Sequence, residues 1–69
     1  MNRVAVQSTD IASIGYDVIT MTLEVEFISG SIYQYFDFPD AMHQEFMTTD
    51  SFGTFFNRNI KGNFRFARI

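Results

Sequence analysis

The chain offers little to a catalytic mechanism. His43 is the only histidine and cysteine is absent, so neither a Cys–His nucleophile pair nor a two-histidine metal site can form within one chain. Ser51, His43 and Asp50 could be drawn as a triad, yet no nucleophile elbow or oxyanion motif accompanies them. His43 is read instead as an ordinary residue on the exposed side of a helix. Glu24 and Glu26 project from the same side of one strand, where a carboxylate pair could share a proton or a metal; a charged solvent face is the commoner origin of such a pair. Gly15, Gly30, Gly53 and Gly62 are scattered and form no phosphate-loop pattern. Gly53 falls in the first turn of a helix, where free N–H groups can hold an anion, although a glycine there also permits close packing. No catalytic residue, cofactor or metal is expected, and the chain is not expected to be an enzyme.

Binding chemistry remains. A net charge of −3 argues against a domain held to nucleic acid mainly by charge, but the distribution is uneven. Residues 1–50 carry all eight acidic groups and Arg3 alone, whereas residues 51–69 carry Arg58, Lys61, Arg65 and Arg68 with no acid. Either this basic tail pairs with the acidic body, or it forms an anion-binding edge. In the second reading Arg58, Lys61 and Arg65, with Arg68 beside them, supply charge. Asn57 and Ser51 supply hydrogen bonds, and Tyr33 or Tyr35 a surface for stacking. Lys61-Gly62-Asn63-Phe64-Arg65-Phe66 echoes RNA-binding strands in which exposed aromatics lie beside cations. The order of elements is wrong for that fold, and Phe64 and Phe66 are read as core.

These residues must be positioned by one small domain, residues 1–69. A 69-residue chain without disulfides needs dense apolar packing, and an aromatic fraction of 17%, with nine Phe, supplies it. The N-terminal residues lack the pattern of a signal peptide, and no apolar run approaches the ~20 residues of a membrane span; a cytoplasmic address without membrane contact is expected. Val4-Ala5-Val6 and Ile11–Tyr16 read as short strands around the turn Ser8-Thr9-Asp10. Met21, Leu23, Val25 and Phe27 alternate with polar residues as in a half-buried strand. A second strand follows from Ile32 to Phe38 and stops at Pro39. A three-residue loop with Gly30 in the left-handed conformation would put Tyr33 and Tyr35 on the apolar face with Val25 and Leu23, whereas a two-residue loop would place them beside the glutamates. Serine is poorly suited to positive φ, so the three-residue loop is favoured. A helix opens at Asp40 with Met42, Phe46 and Met47 on one side. Asp50 or Ser51 caps a second, in which Phe52, Phe55, Phe56 and Ile60 form one stripe. Gly62 ends it, and Asn63–Ile69 alternates as a last strand. The fold class is α+β: a small antiparallel sheet of about four to five strands, with two short helices between the central hairpin and the C-terminal strand.

The ordered series Ser8, Ile14-Gly15-Tyr16-Asp17, Leu23-x-Val25-x-Phe27-x-x-Gly30, Tyr33-x-Tyr35, Pro39 and Ser51-x-Gly53-x-Phe55-Phe56-Asn57-x-x-Ile60, followed by Phe64, resembles the KTSC domain. That module is named for the C-terminus of some lysyl-tRNA synthetases and also occurs as small stand-alone proteins. Phe55 and Phe64 stand where the family often has Tyr, and His43 where an aromatic is common. The resemblance implies the same α+β fold and a non-enzymatic binding module, with RNA as the suggested partner. Two other readings are a small homo-oligomer that captures an anionic nucleotide-like molecule between subunits, and a structural or protein-interaction domain.

Overall fold

The computed structural model describes all residues from Met1 to Ile69. Five strands form one antiparallel sheet in the order β1-β2-β3-β4-β5: β1 Arg3–Ala5, β2 Ile11–Asp17, β3 Thr22–Phe27, β4 Ile32–Tyr35 and β5 Phe66–Arg68. The β4–β5 connection carries helix α1 (Asp40–Met47), helix α2 (Phe52–Phe55) and a π-helical turn, Phe56–Ile60. The helical segment covers one face of the sheet. Ile14, Leu23, Val25 and Tyr35 on that face meet Phe46, Phe56 and Ile60 from the helical segment, with Phe38 between them. No helix is long and apolar enough to cross a membrane.

The central hairpin has the three-residue loop. The Phe27 N–H donates to the Ser31 carbonyl at 2.9 Å, and Gly30 takes φ +98°. Val25 therefore faces Tyr33 and Leu23 faces Tyr35, so both tyrosines lie on the helix-covered side. In β2 a bulge between Ile11 and Ser13 lets Ile11 and Ile14, three residues apart, both point into the core.

Several boundaries differ from the sequence reading, each for a local reason. Met21 does not extend β3: it adopts φ +52° to close the β2–β3 turn, where the Asp17 carboxylate accepts the Ile19 N–H at 3.0 Å. β4 stops at Tyr35 because Asp37, at φ +55°, turns the chain before Pro39 can. Ser51 caps α2 as expected, accepting the Thr54 N–H at 3.3 Å. The second helix is not one continuous α-helix, however, because the Lys61 N–H reaches back five residues to the Phe56 carbonyl at 2.9 Å. Phe56 and Ile60 are buried by this wider turn. His43 is half-buried rather than exposed, with its ring stacked on Tyr16 at 4.6 Å. Phe64 packs on Phe38 at 4.8 Å. Phe66, in the edge strand with nothing beyond it, is 58% exposed and is not core.

The uncovered face of the sheet holds a polar network. Arg3 pairs with Glu24 and also donates from Nε to Ser13 Oγ at 3.0 Å. Gln34 donates to Glu24 at 2.9 Å, and Ser13 donates to Glu26 at 2.8 Å. Burial alone would push the Glu24 carboxyl up, but the hydrogen bonds from Gln34 and Arg3, with the Arg3 charge, hold it below its ordinary value. A lowered carboxyl stabilises the fold above the unfolded-chain value of about 4.3 and loses that contribution as pH falls through the folded one. Arg3→Ala removes two of the four favourable influences, leaving the Gln34 hydrogen bond and the more distant N-terminal charge, while burial persists. The expected result is a loss of about 1–3 kcal/mol near neutral pH and an acid-unfolding midpoint moved to higher pH, read by circular dichroism. An unchanged acid limb would contradict this role.

Candidate functional site

Between the twisted hairpin and the helical segment lies a cleft of about 580 Å³. That falls within the roughly 300–1,000 Å³ of small-molecule sites. Its floor is aromatic. Tyr33 and Tyr35 stack at 6.4 Å, because alternate residues of a strand share one side. Phe66 lies against both, at 5.8 Å and 6.0 Å, since β5 pairs Phe66 with Tyr35 and Arg68 with Tyr33. Phe27 meets Tyr33 edge-on at 5.8 Å, and Phe56 meets Tyr35 at 5.7 Å and Phe27 at 5.2 Å. Four of the five rings rest on three adjacent strands, and the fifth comes from the π-helical turn.

The polar groups sit around this floor. Tyr35 is 5% exposed. Burial, with a smaller influence from Tyr33, pushes its phenol up to about 12, so it remains a neutral donor throughout the physiological range. Neither Tyr33 nor Tyr35 makes a side-chain hydrogen bond within the chain, although both line the cleft. Asn57 and Lys61, one α-helical turn apart in sequence, line it from the π-helical segment and its end, and Ser29 and Ser31 from the hairpin loop. Arg68 donates to Ser31 Oγ at 3.1 Å. Asp10 also lines the cleft.

Asp10 is held from two sides. Ser8 Oγ accepts the N–H groups of Asp10 and Ile11, both at 3.2 Å, and the Ile28 N–H donates to the Asp10 carbonyl at 2.9 Å. Its carboxylate lies where a side chain on Gly53 would be: a Cβ there would come within 2.8 Å of Asp10 Oδ2. A second, polar hollow of about 360 Å³ continues on the other side of Asp10, Gly53 and Asn57, which line both spaces. Gln7, Ser8, Thr9, Ser51 and Thr54 supply most of its remaining wall.

The residues expected from sequence are thus divided. Tyr33, Tyr35, Asn57 and Lys61 share the cleft, and Ser51 borders the adjoining hollow while capping α2. Arg58 lines neither space. Arg65 is drawn away by an exposed ion pair with Asp37 at 2.8 Å and sits 5.6 Å from the Phe36 ring. The tail therefore presents no single basic edge, since Lys61 and Arg68 reach the cleft region whereas Arg65 is paired with the acidic body. Sequence reasoning missed Asp10, Phe27, Phe56 and Phe66 as cleft residues. Gly53 was the available signal, as it marks a place where something approaches the backbone closely; what approaches is the Asp10 carboxylate. No group of three or more His, Cys, Asp or Glu side chains is placed to hold a metal ion.

The chain is similar to proteins of two kinds. An uncharacterized protein of Stutzerimonas stutzeri is 43% identical over 70 residues, covering 100% of this chain and 99% of its own length. Lysine–tRNA ligases of Nostoc punctiforme and Nostoc sp. are 39% and 41% identical over 59 and 54 residues, yet the match spans only 10% of either ligase. A crystal structure of a KTSC domain protein from Yersinia pestis superposes with a TM-score of 0.97 at 43% identity, covering 99% of this chain and 96% of that one. The family model described as "KTSC domain" matches residues 7–64. With most of its length matched to that model, the chain belongs to the KTSC domain family.

Proposed function

We propose that the domain is a non-enzymatic module that binds single-stranded RNA by taking an unpaired nucleotide into the aromatic cleft. The observation that carries this reading is the set of rings formed by Phe27, Tyr33, Tyr35, Phe56 and Phe66, open to solvent at Phe66 and flanked by Lys61. Bases stack on exposed aromatic side chains whatever their sequence, while cations beside the platform take the phosphates. The similarity to segments of lysine–tRNA ligases is consistent with a role near RNA.

Few cations border this cleft, and that sets a quantitative expectation. For single strands the logarithm of affinity falls against the logarithm of salt with a slope of about −0.7 per neutralised phosphate. With Lys61 and Arg68 engaged, fluorescence anisotropy of a labelled mixed-sequence RNA decamer should give a slope of about −0.7 to −1.4. Binding should then survive moderate salt. A flat titration at low salt would overturn the proposal, and a slope steeper than about −3 would mean that charge elsewhere, not the cleft, holds the RNA.

The size of the cleft also suits a free nucleotide. In that second reading a mononucleotide raises the melting temperature as much as the decamer does.

A further inference from the structure

The cleft and the polar hollow meet at one unpaired anion. Asp10 makes no side-chain hydrogen bond and no ion pair within the chain, yet it is fixed by Ser8 and Ile28 and admitted by the missing side chain at Gly53. On one side of it are aromatic rings, and on the other a space whose walls are almost wholly hydroxyl, amide and carboxyl groups. An independent feature points to an occupant of the aromatic side: Tyr35 is only 5% exposed as a residue and lines the cleft, yet its hydroxyl has no partner in the protein and keeps its access to solvent.

A carboxylate accepts hydrogen bonds and donates none when ionised. At the junction it repels a phosphate and favours a hydrogen-bond donor. A nucleotide whose base lies on the rings carries such a donor one sugar away, its 2′-hydroxyl, the group by which a protein distinguishes RNA from DNA. We infer that Asp10 is a ribose-reading residue: its carboxylate accepts the 2′-hydroxyl of the nucleotide held in the cleft and makes the domain selective for RNA over DNA. This rests on the nucleotide-binding reading above and adds sugar selectivity to it. The phosphates then lie toward Lys61 and Arg68, away from Asp10.

The test compares a mixed-sequence RNA decamer with its deoxy counterpart carrying uracil in place of thymine, so that only the 2′-hydroxyls differ. Wild-type protein is expected to bind the RNA about tenfold more tightly, in line with one hydrogen bond to a charged group. Asp10→Ala should lower RNA affinity by about the same factor and leave DNA affinity equal or slightly raised, collapsing the two. Asp10→Asn, which keeps an acceptor oxygen in the same place, should retain part of the preference. Asp10 is exposed and its backbone bonds do not need the carboxylate, so circular dichroism should show both variants folded. Equal binding of RNA and DNA by wild-type protein would overturn the ribose assignment while leaving the cleft as a nucleic-acid site. Equal loss of both ligands in Asp10→Ala would overturn it too, since the carboxylate would then be reading a base amine. Failure of both ligands to bind would remove the proposed function together with this inference.

Discussion

Replacing Phe38 by alanine is expected to lower the melting temperature by about 12–40 °C and to leave a large unfolded fraction at room temperature. Phe38 is fully buried. Its ring meets Phe64 at 4.8 Å and Tyr16 edge-on at 6.3 Å, its carbonyl accepts the Tyr16 hydroxyl, and its N–H donates to the Met21 carbonyl at 2.9 Å. It therefore ties the chain entering α1 to the β2–β3 turn. Truncating a buried Phe costs about 3–5 kcal/mol, and a domain of this length has only roughly 3–10 kcal/mol to lose. Each kcal/mol corresponds to about 4–8 °C in so small a domain. Phe46→Ala should behave alike: it is also fully buried, stacked on Phe55 at 5.1 Å and edge-on to Phe52 at 5.7 Å. Thermal unfolding followed by circular dichroism measures both, and a shift below about 5 °C for either would mean that the aromatic core is not what stabilises the fold.

The second large effect concerns binding and should come without loss of stability. Phe66→Ala removes a ring that is 58% exposed at the open side of the cleft. On the stacking account this weakens RNA binding by about 5- to 150-fold, equivalent to the 1–3 kcal/mol of one base–aromatic contact. Surface substitutions usually stay within about 0.5 kcal/mol of the parent protein, so the melting temperature should move little. Tyr33→Ala should weaken binding similarly, because Tyr33 is only half-buried and its ring lies between Phe27, Tyr35 and Phe66. Anisotropy titrations of the two variants beside Phe38→Ala separate a ligand platform from a structural core. If Phe66→Ala bound RNA as well as the wild type, stacking on this floor could not be the source of affinity.

How much of this was legible in the sequence depends on whether a feature is local. The hairpin register was legible, because serine resists the backbone angle that Gly30 adopts at φ +98°, and that one preference decides which face both tyrosines use. The start of α1 was legible from Pro39 followed by an acid at the positive end of the helix, Asp40, and the start of α2 from the capping chemistry of Ser51. The π-helical turn was not, since Phe52, Phe55, Phe56 and Ile60 fit an α-helical stripe equally well and only the hydrogen bond from Lys61 to Phe56 reveals the extra residue. Nor was the bulge that turns both Ile11 and Ile14 inward. In the site, alternation placed Tyr33 and Tyr35 together, but the partner of each cation was a long-range matter. Asp37 captures Arg65 from 28 residues away, which no pattern of charge along the chain could specify. Asp10 was counted with the acidic body because nothing in its neighbourhood in sequence tells of Gly53, which reaches it only through the fold.

Nitrogen-15 labelled protein titrated with the RNA decamer gives the most direct test of where an RNA would sit. Backbone amide signals of Tyr33, Tyr35, Asn57, Lys61 and Phe66 are expected to shift together with one saturating isotherm, while those of Arg3 and Ser13, in the polar network of the uncovered face, stay in place. Shifts confined to the uncovered face of the sheet, or spread evenly over the surface, would contradict the cleft as the binding site.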